Sequence, residues 1–144
     1  MENLIVVGVD GSPGGRRALE WAIAEAGRIG GAVQAVTAWT WDGIESGPLT
    51  ATSPAAQRQC AETLLRDEID AVLRQVHEPV TVTGEVSRNS PVDALTAAAE
   101  KAGLLVLGSH GHSALRHRVL GSVSDGCIRH ARCPVVVVPT NPAA

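Results

Sequence analysis

Glycine and serine residues in the later part of this chain have the types and the spacing of an anion-binding loop. An apolar run ends at Gly108, Gly111 follows after two intervening residues, and Gly121 with Ser122 follows after nine more. Where a strand leads into a helix, glycines let the backbone approach an anion, and free N–H groups of the helix bind phosphate. The pattern is not a Walker A loop, because the one lysine of the chain is Lys101. It predicts a phosphate site, and the alternative is a tight turn whose glycines serve packing.

A second polar turn follows the first apolar segment. Val9 ends that segment, and Asp10, Gly11 and Ser12 come directly after it. The carboxylate of Asp10 is a candidate ligand contact, and it is also a candidate cap for the turn into the next helix. The two roles are compatible, and the residues alone leave both open.

The polar residues do not form a recognisable catalytic or metal-binding set. Ser12 and Ser122 are not part of a Gly-x-Ser-x-Gly elbow, and no histidines, cysteines and carboxylates have metal-ligand spacing. Within the basic segment 112–118, HSALRHR, the residues Arg116, His117 and Arg118 are either a phosphate clamp or a solvated basic turn, and His110 lies in the same loop. We therefore predict no catalytic residue and no metal ligand in the protein.

Composition indicates one folded domain, residues 1–140, with a short tail at 141–144. The chain is 44% hydrophobic and 19% charged, and its net charge of −3 favours neither a nucleic-acid nor a membrane partner. Its start carries no basic region and only a strand-length apolar run, so we expect no signal peptide and no membrane span. The three cysteines form no Cys-x-x-Cys motif, which favours reduced thiols and a cytoplasmic location.

Five short valine-rich segments alternate with longer amphipathic ones, which predicts a βαβαβαβαβ order. The strands are predicted at 4–9, 33–38, 80–86, 104–107 and 135–138, and alternation within 80–86 indicates an edge strand. Helices are predicted at 14–28, from the Ser53-Pro54 and Ser90-Pro91 pairs, and from about residue 120 to His130. The second helix carries one apolar stripe at Leu65, Ile69, Val72 and Val76. This order predicts a mostly parallel sheet covered on both faces, with ligands at the C-terminal strand ends.

The chain resembles the universal stress protein family over its whole length. The matching elements are the opening VGVDGS, the GSHG and LGSVS parts of the glycine pattern, and the closing HARCPVVVVP. The resemblance implies an α/β fold of the adenine nucleotide alpha hydrolase-like, Rossmann-like kind, an open five-stranded parallel sheet with strand order 3-2-1-4-5. It also implies ATP, or another adenine nucleotide, in the crevice between strands one and four, with any Mg²⁺ carried by the phosphates.

By that resemblance, Val9 and Asp10 meet the adenine and ribose, Ala38 offers backbone to the adenine edge, and Gly108 lies under the ribose. The residues around the phosphates supply N–H and hydroxyl groups. The full implied set is Val9, Asp10, Ala38, Gly108, Ser109, His110, Gly111, Gly121, Ser122, Val123 and Ser124. Trp39 and Trp41 either flank the adenine or cap the apolar loop, and Cys127 and Trp21 are predicted to be core residues.

The function that follows is an ATP-binding stress-response protein that regulates rather than turns over substrate. An alternative from another class is a dimeric interaction module whose nucleotide pocket is empty or vestigial. A nucleotide-using transferase or hydrolase is a further alternative, but the chain lacks the lysine, metal carboxylates and base that such chemistry needs. Val135–Val138, an apolar strand between two prolines, is predicted to pair with the same strand of a second copy in a homodimer.

Overall fold

The computed structural model describes residues 3–40, 53–77, 79–109 and 121–139, and within them the chain alternates strands and helices. The elements are β1 (Leu4–Gly8), α1 (Pro13–Ile29), β2 (Ala32–Trp39), α2 (Pro54–Leu73), β3 (Val82–Arg88), α3 (Pro91–Ala99), β4 (Leu104–Gly108), α4 (Ser122–His130) and β5 (Val135–Val138). The strands form one sheet in the order β3-β2-β1-β4-β5, and all four pairings are parallel. The expected fold class and strand order are confirmed.

Element boundaries differ from the sequence expectation where strand pairing decides them. β1 ends at Gly8 rather than at Val9, which keeps a single bond to β2 from its N–H to the Val36 carbonyl at 2.9 Å. β3 begins at Val82 rather than at residue 80, because its pairing with β2 begins at Val33. β3 is an edge strand, as its alternating pattern predicted.

Three of the four helices begin at serine caps followed by proline. Ser12, Ser53 and Ser90 accept hydrogen bonds from backbone N–H groups three residues ahead, at 3.1, 3.1 and 3.3 Å. Proline at the first helical position has no N–H to leave unpaired, and its φ suits a helix. α1 ends at Ile29, and its C-cap Gly30 has a φ of 68°, the left-handed conformation that glycine adopts without strain. The Ser53 and Ser90 caps confirm the predicted starts of α2 and α3, whereas α1 begins at Pro13, one residue before its predicted start.

Apolar residues form one core cluster on each face of the sheet. Leu19 and Ile23 of α1 are fully buried on the face covered by α1 and α2, and Leu105 and Cys127 are fully buried on the face covered by α3 and α4. Cys127 is a core residue as predicted, and burial raises the pKa of its thiol to about 11. Trp21 is only partly buried and packs against the first cluster.

An ion pair between the exposed Arg16 and the buried Glu68 joins α1 to α2, and the sequence pattern did not predict it. Glu68 is 7% exposed, beside the apolar stripe of α2, and both of its carboxylate oxygens accept hydrogen bonds from Arg16. The hydrogen bond and the charge of Glu68 raise the pKa of Arg16. The pair holds the first turn of α1 against α2.

No helix in the described ranges is both long and apolar enough to cross a bilayer.

Candidate functional site

A cavity of about 360 Å³ opens at the C-terminal ends of β1, β2 and β4. Most of the predicted site residues line it, and they are Val9, Asp10, Ala38, Gly108, Ser109, Gly121, Ser122, Val123 and Ser124. His110 and Gly111 lie outside the described residues, as do the basic segment 112–118, Trp41 and the tail at 141–144. The adjacency of β1 and β4 brings the two polar turns to one crevice, as ligand sites in open α/β sheets require.

Sequence reasoning missed part of the cavity wall. Pro91 and Leu95 at the start of α3 line the cavity opposite the sheet, and Val36 and Leu107 supply apolar surface from the strands. The Ser90-Pro91 pair located the start of α3 but carried no information on which strand ends that start would cover. A long-range crossover decides this placement.

Gly108 permits a close approach between β4 and the start of α1. A Cβ atom at this position would lie 2.8 Å from both the carbonyl carbon and the carbonyl oxygen of Gly14. The contact is with backbone, which cannot move aside as the end of a side chain can. Gly108 therefore serves packing and also lines the cavity, so the packing alternative holds for this glycine alongside its place in the site.

The first turn of α4 presents backbone donors at the cavity that have no partner among the described residues. Its N-cap is Gly121, which makes no side-chain capping bond, and Ser122 is exposed at the first helical position. The first N–H groups of a helix have no partner within the helix, and the N-terminal end carries positive partial charge. This end of α4 is a ready anion site.

Hydrogen bonds to the Ser109 carbonyl connect α4 to the end of β4. The Ser109 carbonyl accepts from the Gly121 N–H at 2.6 Å and from the Ser124 hydroxyl at 3.1 Å. The Ser124 hydroxyl also lies 3.1 Å from the Gly121 carbonyl, and Ser124 is 1% exposed. Its single hydroxyl proton is thus engaged with backbone, which leaves Ser122 as the exposed hydroxyl of this turn.

Asp10 has the capping role that the sequence left open, and its contact with a ligand stays a prediction. Its Oδ1 accepts from the Ser12 N–H at 2.9 Å and lies 2.5 Å from the Ser12 hydroxyl, so it caps the turn into α1. The residue is also exposed and lines the cavity. Within the described lining, Asp10 is the one ionisable side chain. No group of three histidines, cysteines or carboxylates in the described part of the chain comes together as a metal site.

Ala38 directs a main-chain donor and acceptor into the cavity. Alternate residues of a parallel strand direct both backbone groups to the same neighbouring strand. Val33 donates to Thr81 on the β3 side, whereas the Val36 carbonyl accepts from Val9 on the β1 side. Ala38 therefore faces the β1 side, where β1 has already ended, and no bond to its N–H or carbonyl occurs among the described residues.

Trp39 does not flank the cavity, so that alternative is wrong. Neighbouring side chains of a strand point to opposite faces, and Ala38 is on the cavity side. Trp39 is 8% exposed on the other face, where the guanidinium carbon of Arg88 lies 5.4 Å from its ring centroid. The ring packs under a cation at the edge of the sheet.

Comparison with known sequences identifies similar proteins along nearly the whole chain. The family model described as the universal stress protein family matches residues 1–139. A universal stress protein of Mycobacterium tuberculosis is 34% identical over 133 residues, which are 92% of this chain and 44% of that protein. One from Mycolicibacterium smegmatis is 32% identical over 136 residues, 93% of this chain and 45% of that protein. The chain thus spans about half the length of the curated relatives it matches.

Solved structures with the same fold include two with bound nucleotide. A universal stress protein in complex with cAMP is 28% identical, with a TM-score of 0.70, over 94% of this chain and 95% of that chain. One from Archaeoglobus fulgidus in complex with dAMP is 25% identical, with a TM-score of 0.61, over 92% of this chain and 94% of that chain. A third, from Lactobacillus plantarum, is 24% identical with a TM-score of 0.75, over 95% and 97%, and it supports the fold.

Proposed function

This chain belongs to the universal stress protein family, and we propose that it binds an adenine nucleotide in the cavity at the ends of β1, β2 and β4. One observation carries the proposal: the backbone pair of Ala38 and the N-terminus of α4 open into the same cavity. A base and a phosphate would each have a matching site there. The cAMP and dAMP complexes of two relatives support this ligand class.

Ala38 matches the hydrogen-bonding edge of adenine. Adenine offers an acceptor at N1 beside a donor at N6, and the Ala38 N–H and carbonyl are their complements. Guanine offers the reverse order, a donor at N1 and an acceptor at O6. Its N1–H would face the Ala38 N–H, and its O6 would face the Ala38 carbonyl, so neither hydrogen bond could form. The side chains of Val36 and Leu95 provide apolar surface for the flat base.

The phosphate group is held by main chain rather than by a described cation. Ser122, Val123 and Ser124 form the first turn of α4. Their N–H groups lie at the positive end of the helix, where they bind an anion. The exposed Ser122 hydroxyl adds a donor, and the Asp10 carboxylate can accept from a ribose hydroxyl. Any Mg²⁺ would arrive with the phosphates of ATP, because the described lining offers one carboxylate only.

The test of this function is the identity of the ligand. We expect adenine nucleotide to be released when the purified protein is denatured, or AMP, cAMP or ATP to bind in calorimetric titration. GMP and GTP should bind about tenfold or more weakly than their adenine counterparts, because two mismatched backbone groups lose their bonds. If the protein neither releases nor binds any adenine nucleotide, that result would contradict the proposal and favour the interaction module.

We further propose a regulatory role in a stress response, with nucleotide occupancy as the signal and little or no turnover. The described lining offers no lysine and no histidine, and its one carboxylate already caps a turn. We expect ATP hydrolysis far below the rates of typical enzymes, which are about 1 per second or more. A phosphate-release assay with Gly121→Val as control checks this, and faster turnover that is lost in the variant would favour the hydrolase alternative.

The free edge of β5 supports the proposal that the protein is a homodimer. Val135, Val136 and Val137 are partly exposed, and no described strand pairs with their outer side. The Pro134 carbonyl accepts from Leu105 of β4, and the Val138 carbonyl accepts from Ser109 directly after β4. By alternation, the backbone groups of Val135 and Val137 therefore point outward. Such an apolar edge is a hazard unless a partner covers it.

A proline at position 137 tests the dimer without breaking the β4 ladder. Val137→Pro removes an outward N–H, and edge strands tolerate proline. We expect a dimer for the wild type and a monomer for the variant in analytical ultracentrifugation at micromolar concentration. A wild-type monomer under these conditions would refute the dimer, and a dimeric variant would place the interface elsewhere.

A further inference from the structure

We propose that Thr37, which lies outside the cavity, makes the site selective for adenine by releasing the Ala38 N–H from the sheet. The inference rests on the proposed binding of an adenine nucleotide. Thr37 is not part of the cavity lining, and its side chain is on the opposite side of β2 from Ala38. It would therefore be a positioning residue that acts on the ligand through the backbone.

The hydrogen bonds between β1 and β2 stop one step early at Thr37. The two strands pair in register from Leu4 and Ala32 to Gly8 and Val36, and the Val9 N–H then donates to the Val36 carbonyl at 2.9 Å. If this parallel ladder continued, the next bond would run from the Ala38 N–H to the Val9 carbonyl. Instead the Thr37 hydroxyl donates to the Val9 carbonyl at 2.8 Å.

Because the Val9 carbonyl is buried, it matters whether the Thr37 hydroxyl or the Ala38 N–H donates to it. Val9 is 3% exposed and Thr37 is 5% exposed, so water has little access to the Val9 carbonyl to which the Thr37 hydroxyl donates. A buried carbonyl without a donor is costly, and in place of Thr37 the parallel ladder would supply the Ala38 N–H. The threonine hydroxyl satisfies the carbonyl, and the amide of Ala38 is left to serve a ligand.

The consequence for a bound base is confined to one atom. Without the hydroxyl, the Ala38 N–H would turn to the Val9 carbonyl and no longer reach N1 of adenine, whereas the Ala38 carbonyl would still accept from N6. We therefore expect Thr37→Val to weaken AMP binding by about 3- to 10-fold, the effect of one hydrogen bond. The binding of 1-deaza-AMP, which has a C–H group in place of N1, should not change.

The experiment compares AMP with 1-deaza-AMP on three proteins. The wild type should prefer AMP by about 3- to 10-fold, Thr37→Ser should keep this preference because it retains the hydroxyl, and Thr37→Val should lose it. Thr37→Ala serves as a second hydroxyl-free variant if the valine variant does not fold. A mutation that merely loosened the structure would weaken both ligands equally, and that outcome would overturn the inference.

Amide exchange measured by NMR tests the same switch without a nucleotide. The Ala38 amide should exchange readily in the ligand-free wild type and become protected in Thr37→Val, where it bonds to Val9. A protected Ala38 amide in the ligand-free wild type, or AMP preference unchanged in Thr37→Val, would overturn the inference and leave the proposed function standing. A wild type that binds no adenine nucleotide would overturn the proposed function and the selectivity with it, whatever the amide shows.

Discussion

We expect Gly121→Val to weaken the proposed adenine nucleotide binding by about 100-fold or more while the fold survives. Gly121 lines the cavity at the N-cap of α4, where a branched side chain would occupy the space that a phosphate needs. Its φ of −74° and ψ of 169° are open to any residue, so the backbone accepts valine without strain. The loss should therefore come from the blocked approach to the helix N-terminus.

The matched control for this variant is Gly121→Ala. Alanine and valine are both poor N-caps, so they should cost α4 similar stability, and the difference between them isolates the size of the side chain. We expect an intermediate affinity for ATP or AMP with alanine, measured by titration calorimetry, and native-like circular dichroism for both variants. Wild-type affinity in the valine variant would show that the phosphate does not lie at this end of α4.

We expect Gly108→Ala to destabilise the protein by about 1–3 kcal/mol, or roughly 3–12 °C in melting temperature. The added Cβ would lie 2.8 Å from two backbone atoms of Gly14, so the start of α1 must move away from β4. The turn that holds Asp10 leads into that start, and it caps the helix through Ser12. Nucleotide affinity should therefore fall together with stability.

Gly8→Ala is the control for this variant, because Gly8 also ends a central strand and lines the cavity. A Cβ there would lie 3.0 Å from side-chain methyl carbons of Leu95 and Leu107, which can shift more easily than backbone. Thermal unfolding followed by circular dichroism should show a smaller loss for Gly8→Ala than for Gly108→Ala. If Gly108→Ala is as stable as the wild type, the close approach of α1 to β4 is not a constraint.

Local patterns determined the element order and half of the site. Serine-proline pairs determine helix starts because the cap and the fixed φ act within one turn, and continuous valine-rich runs indicate strands buried on both faces. The turn after Val9 and the glycine pattern around Gly121 marked two walls of the cavity for the same reason: anion and turn chemistry depends on consecutive backbone groups. Resemblance to a family supplied the strand order that places these walls together.

The tertiary structure decided which of the candidate backbone groups and side chains are left for a ligand. The strand register determines that the backbone of Ala38 faces the β1 side of β2, beyond the end of β1. It also determines that the Thr37 hydroxyl donates to the Val9 carbonyl and that Trp39 lies on the sheet face away from the cavity. The engagement of the Ser124 hydroxyl with Ser109 likewise joins residues that are fifteen positions apart. Composition and periodicity describe each segment by itself, whereas a hydrogen bond between segments depends on where pairing starts and stops. That is why the glycine pattern and the family resemblance could predict the place of the cavity and its candidate donors, whereas the bonds from Thr37 to Val9 and from Ser124 to Ser109 could not be predicted.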